Sequence, residues 1–246
     1  MHIAHVSLEL NLLTENKFKK YLIYAIGEII LVVIGILIAL EVNNWNNERK
    51  DSIKENYYLN SIKSSIQLSQ NELNRVINDA ENIYSCADSL FLLLAHKEDQ
   101  YLNGIFLDSL LISAGDYSKI SLNDGGIQEI LNTGSLDLIK DERIRIVLAS
   151  WDERMHNIRK WEDETQYISR NYMEYLIKFL DYSRYELDSL NSAVIPDKRL
   201  SLLNDPMIKN YLGQIYFTHQ GMKETYLKEK KVMDSLNTLI DQYLLK

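Results

Sequence analysis

From Tyr21 to Leu40 the chain reads YLIYAIGEIILVVIGILIAL, twenty residues with one charge. At about 1.5 Å per residue, a helix of this length spans the roughly 30 Å hydrocarbon core of a bilayer. The sequence therefore predicts a transmembrane helix over residues 21–42, with the lipid bilayer as its first partner. A signal peptide would have a shorter apolar core and a small-x-small cleavage site, whereas the residues that follow are EVNNWNNERK. Tyr21 and Tyr24 at one end and Trp45 just past the other are placed as interfacial anchors. These flanks favour a span over a central buried helix of a soluble protein.

Orientation rests on a near tie. Lys17, Lys19 and Lys20 crowd the N-terminal edge, while Arg49, Lys50 and Lys54 lie farther from the other edge. Proximity places the short tail, residues 1–20, in the cytoplasm and the large domain on the exported side. Glu28 is the charge inside the span, about 10 Å from its edge, where an ionised carboxylate is costly unless paired, protonated or hydrated. Gly35 and Ala39 fall near the same helix face with the small-xxx-small spacing that admits another helix. A helix contact through Glu28, Gly35 and Ala39 is the economical reading. Snorkelling into local water and a proton relay are the alternatives.

Glu15 to Lys50, ENKFKKYLIYAIGEIILVVIGILIALEVNNWNNERK, resembles the opening of a family of single-pass membrane proteins from Bacteroidota that has no assigned activity. Ile130 to Trp151, ILNTGSLDLIKDERIRIVLASW, resembles the same family's helix–Gly–L-x-L-I–helix segment. Members begin with a more basic tail than MHIAHVSLELNLL, so the first residues here depart from the pattern. The resemblance implies a Gram-negative envelope and, by itself, little about activity.

Beyond the span the chain is read as helical. With 46% hydrophobic residues it can bury a core, and nine Gly and two Pro in 246 residues imply long elements with few turns. Residues 43–58 hold neither Gly nor Pro and read as a helical stalk. From Leu59 an apolar repeat runs through Ile62, Ile66, Leu73, Val76, Ala80, Ile83, Ala87, Leu90 and Leu94 in steps of three and four, interrupted at Ser69. It predicts one helix from about 50 to 97. Residues 98–140 break into a turn and two short helical pieces, the second capped by Asn123 or Asp124 and ending at Asn132 with Gly134 left-handed.

Asp141 and Glu142 open the next helix, whose seam is Ile144, Leu148, Trp151, Met155, Ile158, Trp161, Thr165, Ile168, Tyr172, Tyr175 and Phe179, fading near 190. Asp205-Pro206 starts the last, with Ile208, Leu212, Ile215, His219, Met222, Tyr226, Met233, Leu236, Ile240 and Tyr243 on its seam and Glu229 as the exception. The fold class expected is all-α: an N-terminal transmembrane helix followed by an elongated antiparallel helical bundle over residues 59–246. Residues 98–140 are expected to close its end away from the membrane.

Candidate chemistry is sparse. Glu153 and His156 have the Glu-x-x-His spacing of di-iron bundles, but His96 and His219 lack an acid three positions earlier, so no metal site is expected. His219 reads as a core histidine. Gly125-Gly126 has no following P-loop lysine, and neither a Gly-x-Ser-x-Gly elbow nor a Ser-x-x-Lys motif occurs. No catalytic residue and no cofactor is assigned. Cys86, the single cysteine, reads as a buried thiol or an intermolecular disulfide.

A net charge of −8 gives no footprint for nucleic acid. Tyrosines clustered over Tyr167–Tyr185 read as bundle packing or an aromatic groove. The expected function is a non-enzymatic envelope scaffold, self-associating or bound to another membrane protein. A ligand-sensing bundle and a stator-like subunit using Glu28 are the alternatives.

Overall fold

The computed structural model describes residues 3–96, 105–181, 183 and 193–245. The turn expected over residues 97–104, the tail's His2, and Tyr185 with the fading end near 190 lie outside them. The chain divides into two compact units, Met1–Glu55 and Asn56–Lys246. Among the described residues the fold is all-α, with a lone antiparallel bridge between Leu180 and Val194.

The first helix, α1, runs Ile3–His96, so tail, span and stalk belong to one element. Within the first unit the side chains of residues 21–40 are exposed throughout. This helix is long and apolar enough to cross a membrane.

In the second unit, α1 supplies one column of a bundle. It is followed by α2 (Ile105–Ala114), α3 (Gly125–Asn132), a 3-10 turn (Ser135–Leu138), α4 (Glu142–Ala149), α5 (Trp151–Leu176), α6 (Arg199–Asn204) and α7 (Pro206–Leu244). Every α1 seam position named above, Leu59 to Leu94, is buried, and so is the interrupting Ser69. Opposite-direction pairs fix α7 as antiparallel to α1: Lys63 meets Asp241, Gln70 meets Asp234, and Lys230 meets Asn74. The pairs Arg154–Glu229 and Tyr175–Asp205 show the same for α5 and α7. Asp205 caps α7, its carboxylate accepting the Met207 amide at 2.7 Å, with Pro206 at the first helical position.

Three expectations need correction. The described part of the segment 98–140, residues 105–140, does not close the end of the bundle but returns along its length as a fourth column. Tyr172 donates to the Leu111 carbonyl near one end of this column, and Tyr57 donates to Glu129 near the other. The helix expected from 141 to about 190 is broken at Ser150 and ends at Leu176. There the chain turns, and the Asp181 and Ile195 amides donate to the Ala193 and Phe179 carbonyls, beside the fully buried Asp108 that accepts the Ala193 amide.

The α5 seam passes through Glu162 rather than Trp161. Glu162 has no exposed surface, whereas Trp161 is 37% exposed and its indole rests against Gly221. Either residue satisfies a three-or-four step between Ile158 and Thr165. Polar partners waiting for a carboxylate decide between them.

Candidate functional site

Between Gly115 and Gly125 the fourth column is an irregular, non-helical strand of chain, and its backbone is bonded by side chains rather than by a sheet. Ser65 of α1 accepts the Gly126 amide at 3.1 Å. Ser69 accepts the Asn123 amide at 3.0 Å and donates back to the Asn123 carbonyl. Glu72 accepts the Ser121 amide at 3.1 Å, and Arg75 donates to the Lys119 carbonyl at 3.1 Å and to Ser118 at 3.2 Å. Ser118 in turn donates to Asp79 at 2.9 Å. Residues 65, 69, 72, 75 and 79 follow the three-or-four step of one helix face, so a non-helical strand of chain can run along it.

Arg75 is the hub. It grips Glu72 through two nitrogens and reaches Asp79 at 2.6 Å, which holds Glu72 below the usual carboxylate range. Gly126 is required by close approach, since a Cβ there would lie 2.6 Å from the Ser61 carbonyl oxygen.

The opposite side of the strand is held by Glu162. Its carboxylate accepts the Ile120 amide at 2.6 Å and the Tyr226 hydroxyl at 2.7 Å, while Arg159 bridges it to the Ile120 carbonyl. Burial, then the Glu162 charge, pushes the Tyr226 phenol well above its ordinary range. One carboxylate thus ties the strand, α5 and α7 together.

Where the strand leaves α2, a cleft of about 410 Å³ opens between it and α1, lined by Asp79, Asn82, Cys86, Asp116, Tyr117 and Ser118 among others. Burial and the Asp79 charge raise the Asp116 carboxyl, and burial also raises the half-buried Cys86 thiol. His219 is fully buried on the α7 seam with Nδ1 3.0 Å from the Ile215 carbonyl. Desolvation pushes its pKa down to about 4 against the pull of the Ile215 and Asp116 carbonyls, so it is neutral at physiological pH.

A second, larger depression of about 950 Å³ lies along α5 and α7, lined by Phe91, Tyr167, Met207, Tyr211 and Phe217 with Glu164 and Lys209 at its polar margin. Tyr167 is 63% and Phe217 71% exposed, an outward aromatic face that bundle packing does not use. The neighbouring tyrosines pack inward: Tyr172 and Tyr175 stack edge-on or tilted against Tyr211.

The membrane-helix residues are all in the first unit and all exposed. Glu28, Gly35 and Ala39 lie within about 20° of one line along the helix by its 100° step. A Cβ at Gly35 would meet nothing within 4 Å. Tyr21, Tyr24 and Trp45 project freely at the ends of the apolar stretch. Glu153 and His156 are exposed, and no group of three or more His, Cys, Asp or Glu able to hold a metal occurs among the described residues.

Residues 28–173, more than half of the chain, match the model of a family of unknown function, DUF6090. The chain belongs to this family. No curated protein and no solved structure matches it. The DUF6090 span takes in Glu28, Gly35 and Ala39, the whole polar strand with its α1 partners, and Glu162. It stops before α7, which supplies Tyr226 and the outer wall of the aromatic depression.

Periodicity could not reveal Glu72, Arg75, Asp79 or Glu162 as a set. A usable signal was present in Ser65 and Ser69, two small hydroxyls one turn apart beside an apolar seam.

Proposed function

We propose that this DUF6090 protein is a non-enzymatic, membrane-anchored interaction protein of a bacterial envelope. Residues 21–42 sit in the inner membrane, the tail is cytoplasmic, and the bundle lies in the periplasm. It associates with copies of itself or with another membrane protein. One observation carries this reading: a fully exposed apolar helix sets Glu28, Gly35 and Ala39 on a single line with no partner from its own unit. A carboxylate in hydrocarbon is costly unless paired, protonated or hydrated, and small residues on the same line let a partner helix approach it. The outward face of Tyr167 and Phe217 offers a second contact surface on the bundle.

The test is the mass and composition of the full-length protein purified gently from native membranes. A defined homo-oligomer that weakens in Glu28→Ala supports self-assembly, and a stoichiometric second protein supports an accessory role. A monomer without companions, unaltered by Glu28→Ala and by Tyr167→Ala/Phe217→Ala, ends the proposal. Protease accessibility of the bundle in intact spheroplasts checks the orientation.

The polar cleft beside Asp79 and Asp116 favours a second reading, a ligand-sensing bundle that signals through a partner. A thermal-shift screen of small polar metabolites tests it, because a ligand that binds only the folded state raises the unfolding temperature. Absence of any stabilising compound counts against it.

A further inference from the structure

At the break between α4 and α5, beside the buried Leu148 and Trp151, one side chain bonds to both sides of Ser150 and to α7. The Val147 carbonyl accepts from Arg154 Nη1 at 2.7 Å and from the Ser150 hydroxyl at 3.0 Å, and the same Nη1 reaches the Ser150 hydroxyl. Nε of Arg154 then donates to Glu229 of α7 at 2.9 Å, and the guanidinium lies 5.4 Å from the Trp151 ring centroid. Arg154 therefore joins three things: the open end of α4, the start of α5 and the middle of α7.

The pair is not fully satisfied. Glu229 Oε1 and Arg154 Nη2 are both buried without a hydrogen-bond partner, although Glu229 is 4% exposed. Burial also raises the Glu229 carboxyl, with Arg154 opposing. A buried ion pair that leaves donors and acceptors unmet adds little net stability over an apolar pair, yet it fixes geometry strongly.

Beyond the joint, α4 leads back through the 3-10 turn to α1. Arg145 donates to the Ile139 carbonyl at 2.9 Å, and at the far side the Tyr58 hydroxyl lies 3.4 Å from Thr133 Oγ1 and 3.5 Å from Ser135 Oγ.

We infer that Arg154 and Glu229 form a latch between α7 and a hinge at Ser150, whose release frees α4 and, through the 3-10 turn, the contacts with Tyr58. The latch is a conformational device: a partner that shifts α7 would be felt at α1 through α4.

Amide hydrogen exchange of the full chain in detergent micelles tests this. In Glu229→Gln the amides of α4 should exchange about tenfold faster, while those of the α1 seam and of the α7 ends change by about twofold or less. Unchanged α4 exchange, or equal acceleration everywhere, overturns the latch. The double variant Arg154→Met/Glu229→Met decides the matter if the single one does not fold. Two apolar chains fill the space but leave the Val147 carbonyl to the Ser150 hydroxyl alone, so the latch requires α4 to exchange fast in a bundle otherwise as protected as wild type. Slow α4 exchange in that variant reduces the pair to packing and overturns the inference.

Discussion

Helix α1 presents two faces to the rest of its bundle, and they work by different physics. One face, Leu59 to Leu94, buries aliphatic side chains in cores shared with α2 to α5 and α7. The other, Ser65 to Asp79, bonds the backbone of a non-helical strand of chain. The apolar face is non-directional and tolerates neighbours of the right size, because its stabilisation scales with the area removed from water. The polar face is directional, since each amide or carbonyl of the strand needs a donor or acceptor within about 3 Å. The first fixes that the helices pack. The second fixes where one non-helical segment lies.

Breaking the polar side at Glu162 should have the largest effect. Glu162→Ala strands the buried Ile120 amide and Tyr226 hydroxyl at once, and each unmet group costs about 1–3 kcal/mol. The expected loss is about 2–5 kcal/mol in urea unfolding of the full chain in detergent, with amides of residues 116–124 exchanging fastest. A loss below about 1 kcal/mol would mean that water replaces the carboxylate and that the strand is held from α1 alone.

Breaking the apolar side should cost nearly as much but spread differently. Leu73→Ala removes a fully buried side chain from the seam and leaves a cavity, for an expected loss of about 2–4 kcal/mol. Exchange should then rise along α1, α5 and α7 together, because the seam is shared. If Leu73→Ala loosened only residues 116–124, the two faces would not be separable and the comparison would fall.

The two faces were also unequally legible. Three-and-four spacing placed Leu59 to Leu94 on the buried face of α1, though it passed over the buried Glu55, Ser65 and Ile77, and the same rule placed Ile208 to Ile240 on α7. Local chemistry marked Gly134, whose φ of 64° is left-handed, the Asp205 cap, and the helix start at Asp141, which proves to be its cap rather than its first residue. The method failed where two residues satisfied the same step. At Trp161 and Glu162 it preferred the apolar one, while the fold buried the acid because Ile120, Arg159 and Tyr226 supply its partners. It passed over Glu229 for the same reason, since Arg154 lies 75 positions earlier in the chain. It could not see the fourth column, because a non-helical segment bonded to side chains has no period of its own. The apolar stretch of residues 21–40 stood out by length and composition, but neither says what Glu28 meets.

A smaller effect probes where the two faces come closest. Gly126→Ala puts a methyl against the Ser61 backbone at the point where the strand enters α3. Overpacking of this kind costs about 1–3 kcal/mol. The loss should fall on α3 and on the Ser65–Gly126 bond, visible as faster exchange of the Gly126 amide. Thermal unfolding indistinguishable from wild type would show that α3 can slide along α1, and that the serines rather than the glycine set its position.

The smallest effect concerns acid. Arg143 and two backbone amides hold the Asp141 carboxyl at a pKa of about 2, and Arg75 first among its partners lowers that of Glu72. Both values are depressed on folding, so the carboxylates stabilise the fold above the ordinary carboxylate range. That contribution is lost as pH falls through the folded values, from near pH 4 toward pH 2 for Asp141. Asp141→Ala should therefore cost about 1 kcal/mol at pH 7, the usual worth of an N-cap, and nearly nothing at pH 2. The α1 seam holds no such group, and buried His219 on the α7 seam weakens the fold only as pH falls from the ordinary imidazole range to about 4. Below pH 4, further acid should therefore release the strand at Ser121 and the start of α4 before it loosens α1 from α7. Simultaneous loss at pH 3, followed by amide exchange of both regions, would mean that the strand is part of the same cooperative unit as the seam and that its polar bonds are not an independent layer of the fold.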